Sequence, residues 1–353
     1  MNDFYRALSK VKQRSGNKFA MATIIHIDGS AYRHTGARML IDEQGNRYGT
    51  ISAGCLEEDL NYHAQEVIQS SKTQTLSYDM RSIDDLGWGQ GAGCNGNIEI
   101  YLEPVSWENT PEWNEIYKLL DQRKSVVSVR CIGGKFKDKV FHLYYPNGST
   151  VNHIDDHEIS KSLSSDLETF LKSGQKIGFV KIPSLESDFL FEYYKPREVM
   201  YVFGAGPDAI PLVRLASELD FWVTVIDPRG SLNTDHNFPD AEARILEHPD
   251  DYFSHAEIKD NSYVLVMTHN FKWDQQVMTH FLTTGSAVPK YLGFLGPHRR
   301  TVRLNSGKEV PDWVRSPIGL NIDAEGPEEI SVSIMAELIQ LKNETSSQKE
   351  LIK

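Results

Sequence analysis

Two cysteines stand in turns built from small residues. Cys55 follows Gly54 in the stretch Ser52 to Cys55, directly ahead of a helix-patterned run from about Leu56 to Ser70. A thiol at a helix N-terminus is expected to favour its thiolate, because free N–H groups and the helix dipole stabilise negative charge. The acids Glu57, Glu58 and Asp59 oppose that effect. Cys94 lies between Gly87 and Gly96, where five glycines in ten residues can turn backbone N–H groups toward an anion. Such a pair suits soft-metal or sulfur handling. It equally suits two small residues filling tight turns. Cys131, inside the apolar run from Val126 to Ile132, reads as core.

A second group of residues lies past the middle of the chain. The apolar run Val199 to Phe203 ends on Gly204 and Gly206, a helix-patterned run follows, and a second apolar run, Trp222 to Ile226, ends on Asp227. Strand, glycine turn, helix, strand and acid within about 30 residues is the layout of a dinucleotide-binding unit. Gly204 takes the turn, Gly206 lets a pyrophosphate approach, and Asp227 would accept from ribose hydroxyls, which favours NAD over NADP. Arg229 offers the alternative of a 2′-phosphate, and Asp208 places a negative charge where an anion should sit. His269 and the segment His298 to Arg299 follow two further apolar runs, so Asp227, His269, His298 and Arg299 are expected at the carboxyl edge of one parallel sheet, with His236 and Asp240 close by. The polar loop from Asp28 to Arg38 carries Arg33 and Arg38, whose guanidinium forks suit phosphate; a solvated loop would look the same. No nucleophile–base pair or hydride-transfer acid stands out, so catalytic residues stay unassigned and no metal site is expected.

These groups need elements to position them. A helix is expected over 1–16, a buried strand over 19–27 broken by Asp28-Gly29-Ser30, and a hairpin pairing 38–42 with 47–51. Strands follow near 75–78 and 97–105. Residues 108–196 read as a possible subdomain, with a helix near 112–123, a strand at 125–132, a hairpin at Pro146 to Gly148, a helix near 157–173 and strands near 176–182 and 188–194. Further strands are expected near 243–247, 263–268, 291–295 and 317–320, and helices near 272–284 and 326–342. The fold class is therefore α/β: a C-terminal Rossmann-like parallel-sheet domain over 197–345, a β-rich α+β domain over 1–196, and a polar tail over 346–353.

Composition narrows the function classes. A net charge of −12 argues against nonspecific nucleic-acid binding. No apolar run is long enough to cross a membrane, and the first residues lack a signal-peptide core, so the cytoplasm is expected. Three cysteines, widely spaced, exclude a disulfide framework and a paired-cysteine zinc site.

In order along the chain, several motifs together resemble the XdhC/CoxI family of xanthine dehydrogenase accessory proteins. They are Gly29 to Met39, Gly49 to Glu57, Gly93 to Gly96, Val202 to Gly206, Val223 to Arg229, Met267 to His269, Tyr291 to Arg300, Pro317 to Ala324 and Pro327 to Ile334. The resemblance covers nearly the whole length. It implies a chaperone, more than an enzyme, that binds the molybdenum cofactor (molybdopterin) as cargo. It further implies assistance in sulfuration with a cysteine desulfurase, and delivery to a xanthine-dehydrogenase-type apoenzyme. The cysteine loops of that family map onto Cys55 and Cys94, and a homodimer is expected. The competing expectation is an NAD(P)-dependent oxidoreductase using the unit from Gly204 to Asp227.

Overall fold

The structure, a computed structural model, describes residues 3–14, 16–52, 54–81, 95–137, 141–144, 150–152, 157–283 and 287–351. The chain divides into two compact units, Asn2–Pro196 and Arg197–Lys353.

The first unit opens with α1 (Asp3–Gln13), followed by β1 (Phe19–Ser30), β2 (Arg38–Asp42), β3 (Arg47–Gly49), α2 (Glu57–Ser70), β4 (Gln74–Asp79) and β5 (Asn95–Val105). These strands form one antiparallel sheet in the order β3-β2-β1-β5-β4. Next come α3 (Pro111–Asp121), β6 (Val126–Gly134), β7 (Phe141–Tyr144), β8 (Thr150–Asn152), α4 (His157–Ser173), β9 (Ile177–Ile182) and β10 (Ser187–Tyr194), giving a second antiparallel sheet ordered β8-β7-β6-β10-β9.

Period-two alternation gives each sheet two dissimilar faces. On β1, Ala20, Ala22 and Ile24 pack with Leu60, Ala64 and Val67 of α2. On β10, Phe189 and Phe191 pack with Leu163, Leu167 and Phe170 of α4. The opposite faces meet each other: Ile25 and Tyr101 of the first sheet share a cluster with Ile132 and Leu190 of the second. Among the described residues each sheet carries one bulge. Register slips between Ile24 and His26 opposite β5, leaving Ile25 extra, and between Asp188 and Phe189 opposite β6, leaving Ile132 extra.

Strand β1 does not break at Asp28. It runs on to Ser30, pairing Gly29 with Gly96. A Cβ on Gly96 would sit 2.8 Å from the carbonyls of Asp28 and Ser30, so the bare backbone there permits the close approach.

The second unit is a doubly wound sheet. Its elements are β11 (Glu198–Phe203), α5 (Ala209–Glu218), β12 (Phe221–Ile226), β13 (Ala243–Ile245), α6 (Pro249–His255), β14 (Ser262–Val266), α7 (Phe271–Thr283), β15 (Tyr291–Phe294), α8 (His298–Leu304), β16 (Val314–Arg315) and α9 (Gly326–Leu351). Six parallel strands run in the order β13-β12-β11-β14-β15-β16, the order of a dinucleotide-binding sheet. Helices α5 and α9 cover one face through Leu212, Val213, Ile334 and Leu338. Helices α6, α7 and α8 cover the other through Tyr252, Val277, Phe281 and Leu304.

Two expectations change here. Residues 317–320 form no strand; the last strand is Val314–Arg315, and Pro317 has no N–H to give a ladder. The last helix, expected to end near 342, continues to Leu351, with no Gly or Pro after Pro327 to interrupt it.

Candidate functional site

The Cys55 turn is organised by the first helical residue after it. The Glu57 carboxylate turns back and accepts from the N–H groups of Ser52 at 2.8 Å and Gly54 at 3.1 Å, from Thr50 Oγ1 at 3.2 Å, and from the Ser52 hydroxyl. Ser52 Oγ in turn accepts from Leu56 N at 3.1 Å. Burial alone would raise the Glu57 carboxyl, but the Ser52 hydroxyl and N–H outweigh it and hold the group below its usual range. The nest of backbone donors is thus filled by the chain's own anion, and Gly54 takes φ +112° to close the turn. Cys55 is a free thiol, half-buried, packed against the α2 face of the first sheet. Arg33 joins this turn: its Nη1 donates to Thr50 O at 3.3 Å. Cys94 falls outside the described residues.

Arg38 has a different fate. It points between the two sheets of the first unit and is 6% exposed. Its Nε donates to Thr23 Oγ1 at 3.2 Å, and its Nη2 donates to Tyr194 Oη at 3.0 Å and to Glu192. Glu192 also accepts from Arg130 at 2.7 Å and from Tyr194 at 2.8 Å, while Arg130 grips Glu103 at 2.5 and 2.6 Å. Burial would raise the Glu192 carboxyl; Arg130 and Arg38 more than reverse it. This corrects the expectation of a phosphate-binding Arg38. Its donors are committed to a buried cluster that ties β2, β5, β6 and β10 together.

At the carboxyl edge of the parallel sheet, the loops after β11, β12 and β14 meet. Gly204 has φ +119°, and a Cβ there would collide with the Met267 carbonyl, so only glycine fits. A Cβ on Gly206 would strike the Asp208 carboxylate, which places that carboxylate over the turn where a pyrophosphate would come. Asp208 Oδ2 lies 2.7 Å from His269 Nε2, and the imidazole side chain is 60% exposed. His269 itself has φ +55°, which turns the loop after β14 back toward the glycine turn.

Asp227 is fully engaged. Oδ1 accepts from Arg229 N at 2.8 Å and Nε at 2.9 Å; Oδ2 accepts from Ala205 N at 2.8 Å and Arg229 Nη2 at 2.5 Å. A carboxylate has about four lone-pair sites, and all are used. Burial would raise this carboxyl, but the Arg229 side chain and the Ala205 N–H outweigh it and lower it. A ribose hydroxyl would have to displace Arg229. That guanidinium carbon lies 5.5 Å from the Trp273 ring centroid, and His248 meets Trp273 edge-on at 5.2 Å.

The loop after β15 leads into α8, where Arg299 is exposed with no ion-pair partner among the described residues; its neighbour Arg300 pairs with buried Asp274 at 2.5 Å. His298, His236 and Asp240 are also exposed. Sequence reasoning placed the strand-end loops and missed the Asp208–His269 pair, the Asp227–Arg229 lock and the buried Asp274. Only the lock had a local signal, the two-residue spacing of acid and arginine.

The XdhC Rossmann domain model matches residues 200–338, and the XdhC and CoxI family model matches residues 13–79. A Bacillus subtilis protein described as a probable subunit of xanthine dehydrogenase is 34% identical over 346 residues, covering 97% of this chain and 98% of its own. The molybdenum cofactor insertion chaperone PaoD of Escherichia coli is 20% identical, over 93% of this chain and 85% of its own. A crystal structure from Bacillus halodurans, described as a xanthine dehydrogenase, is similar at a TM-score of 0.81 and 37% identity, covering 98% of this chain and 96% of that one.

Proposed function

The chain belongs to the XdhC and CoxI family, and on that premise we propose that it is an accessory protein that holds the molybdenum cofactor and passes it to a molybdenum apoenzyme of the xanthine dehydrogenase type. The observation that carries the reading is similarity along nearly the whole chain to a molybdenum cofactor insertion chaperone, joined to a dinucleotide-type crevice whose ribose acceptor is already satisfied from within. A hydride-transfer enzyme needs that acceptor for its cosubstrate; a carrier does not.

In this reading Cys55 and Cys94 are the groups that meet the sulfur-rich molybdenum end of the cargo, since thiolates suit a soft centre. Glu57 fixes the first of these turns, and Arg33 braces it through Thr50. Sulfuration of the cargo would need a cysteine desulfurase as second partner, and a cytoplasmic homodimer is the working form. Gly204, Gly206, Asp227, His269 and Arg299 belong to a crevice that serves cargo or apoenzyme docking.

The test is retention. The purified chain is incubated with cofactor released from a molybdenum enzyme, passed through gel filtration, and assayed for bound molybdenum and pterin. Wild type retains both, and the Cys55→Ala, Cys94→Ala double variant loses at least nine-tenths of the molybdenum. Equal retention by the two proteins would remove the thiols from the mechanism, and none by wild type would remove the carrier role. The second reading, an NAD(P)-linked oxidoreductase, draws on the strand order of the parallel sheet. Calorimetry with NAD and NADP decides it: tight binding followed by turnover of any substrate would replace the carrier reading.

A further inference from the structure

The two bulges of the first unit open onto one cavity. Ile25 and Ile132, the extra residues of β1 and β6, form its floor with Phe179 of β9, and its volume is about 340 Å³. That is within the range of small-molecule sites. A bulge re-aims side chains and is common beside functional sites; here one from each sheet converges on the same space. Above the apolar floor stand Glu99 of β5, its cross-strand neighbour His26, and the cross-strand pair Lys181 and Asp188. Thr75 of β4 completes the rim. Among the described residues, Glu99, Asp188 and His26 have no hydrogen-bond or ion-pair partner, and the Lys181 ammonium has only the Phe179 ring, 5.8 Å from its centroid. Glu99 and Asp188 are half-buried all the same. Partly desolvated carboxylates without partners are costly to hold unless something donates to them.

We propose that this inter-sheet cavity binds the 2-amino-4-oxopyrimidine edge of a pterin, with Glu99 as its carboxylate partner. That edge presents a ring N–H and an adjacent amino group, spaced to give one carboxylate two parallel charge-assisted hydrogen bonds, as a guanidinium does. The planar ring lies along Phe179 and the two isoleucines. Two carboxylates against one lysine make the cavity select donors over anions, so a phosphate stays at the mouth, toward Lys181. Guanine carries the same edge, which makes a guanine nucleotide the other source of this chemistry. The pterin is favoured because the inference rests on the carrier reading above. The cavity and the Cys55 turn lie on opposite faces of the first sheet, so a cofactor seated here by its pterin edge does not touch Cys55 at the same time, and the two are separate sites.

The experiment uses the full chain and 6-hydroxymethylpterin, followed by its fluorescence polarisation, with 6-hydroxymethyllumazine and GMP as comparators. Lumazine replaces the amino donor by a carbonyl. The expected result is saturable pterin binding, at least tenfold weaker lumazine binding, and a loss of about tenfold or more in Glu99→Gln. Lys181→Ala, at an exposed position, weakens binding of phosphorylated 6-hydroxymethylpterin and leaves the unphosphorylated pterin unchanged. Thermal melts confirm that each variant folds. Equal binding of pterin and lumazine, or an unaffected Glu99→Gln, overturns the assignment; tighter binding of GMP than of pterin gives the cavity to a guanine nucleotide and also overturns it. Cofactor retention by wild type with no Glu99-dependent pterin binding sinks this inference alone. Glu99-dependent pterin binding without retention sinks the carrier reading and leaves the cavity assigned.

Discussion

The cluster of Arg38, Glu103, Arg130 and Glu192 and the pair of Asp227 and Arg229 use one chemistry in two settings. In both, arginine nitrogens grip carboxylate oxygens at about hydrogen-bond distance, and in both the central carboxyl is lowered despite its burial. The first is enclosed between two sheets, with Arg38 and Glu192 at 6% and 2% exposure. The second sits at a crevice rim, where Arg229 keeps 38% of its side chain exposed. A closed cluster can only hold sheets in register, because any exchange of partner leaves a charge in a dry interior. A rim pair can trade its partner for a ligand or for water. Residue type does not assign the role; access does.

The widest test of that contrast is stability. Arg130→Leu strands Glu103, while Glu192 keeps Arg38 and Tyr194, and should cost about 3–5 kcal/mol, read from urea unfolding of the full chain. Arg229→Leu leaves the buried Asp227 carboxylate with two backbone N–H donors and should cost less, about 1–3 kcal/mol. Similar losses at the two sites would erase the distinction. Next in size is the backbone under the rim. Gly204→Ala forces a Cβ at φ +119° into the Met267 carbonyl, and a destabilisation of about 1–3 kcal/mol is expected; a neutral result would mean that the turn relaxes freely. Smaller again is the effect on ligand. Arg229→Ala returns two of the four acceptor sites of Asp227 to solvent, and NAD affinity by calorimetry should rise by up to about tenfold. A fall would show Arg229 to be the ligand contact and Asp227 its support.

The smallest effect concerns pH. Glu57 has its folded value lowered below the usual range, near 4.3 for a free glutamate. Its contribution is therefore fully present above that range and is lost as pH falls through the lower folded value. Thermal melts from pH 6 down to pH 3 should show a shallower acid limb in Glu57→Gln than in wild type. Parallel limbs would remove Glu57 as the anchor of the Cys55 turn.

Much of the second unit was legible in the sequence because its signals are local. The apolar runs, Gly204, Gly206 and Asp227 lie within about 30 residues, and parallel strands buried on both faces read as unbroken apolar segments. The two sheets of the first unit were legible strand by strand but not as a face-to-face pair. Arg38 looked like a ligand group since its partner Glu192 is 154 residues away. The same separation problem hid the Asp208–His269 contact, 61 residues apart, and the inter-sheet cavity, whose walls come from β1, β4, β5, β6, β9 and β10. Strand β1 looked broken at Asp28-Gly29-Ser30 because local propensity disfavours it, and pairing with Gly96 overrode that.

By itself the sequence determined most of the element types, the alternation of helix and strand in the second half, the glycine turn and the family. The elements and the turn follow from short-range periodicity and from backbone angles that one residue type allows; the family follows from the order of its motifs along the chain. Only the tertiary structure decided which charges are closed in and which are open. Burial and hydrogen-bond satisfaction depend on strands far apart in the chain, and no spacing along the chain encodes them. The same arginine is a staple between sheets or a contact at a crevice according to what packs over it.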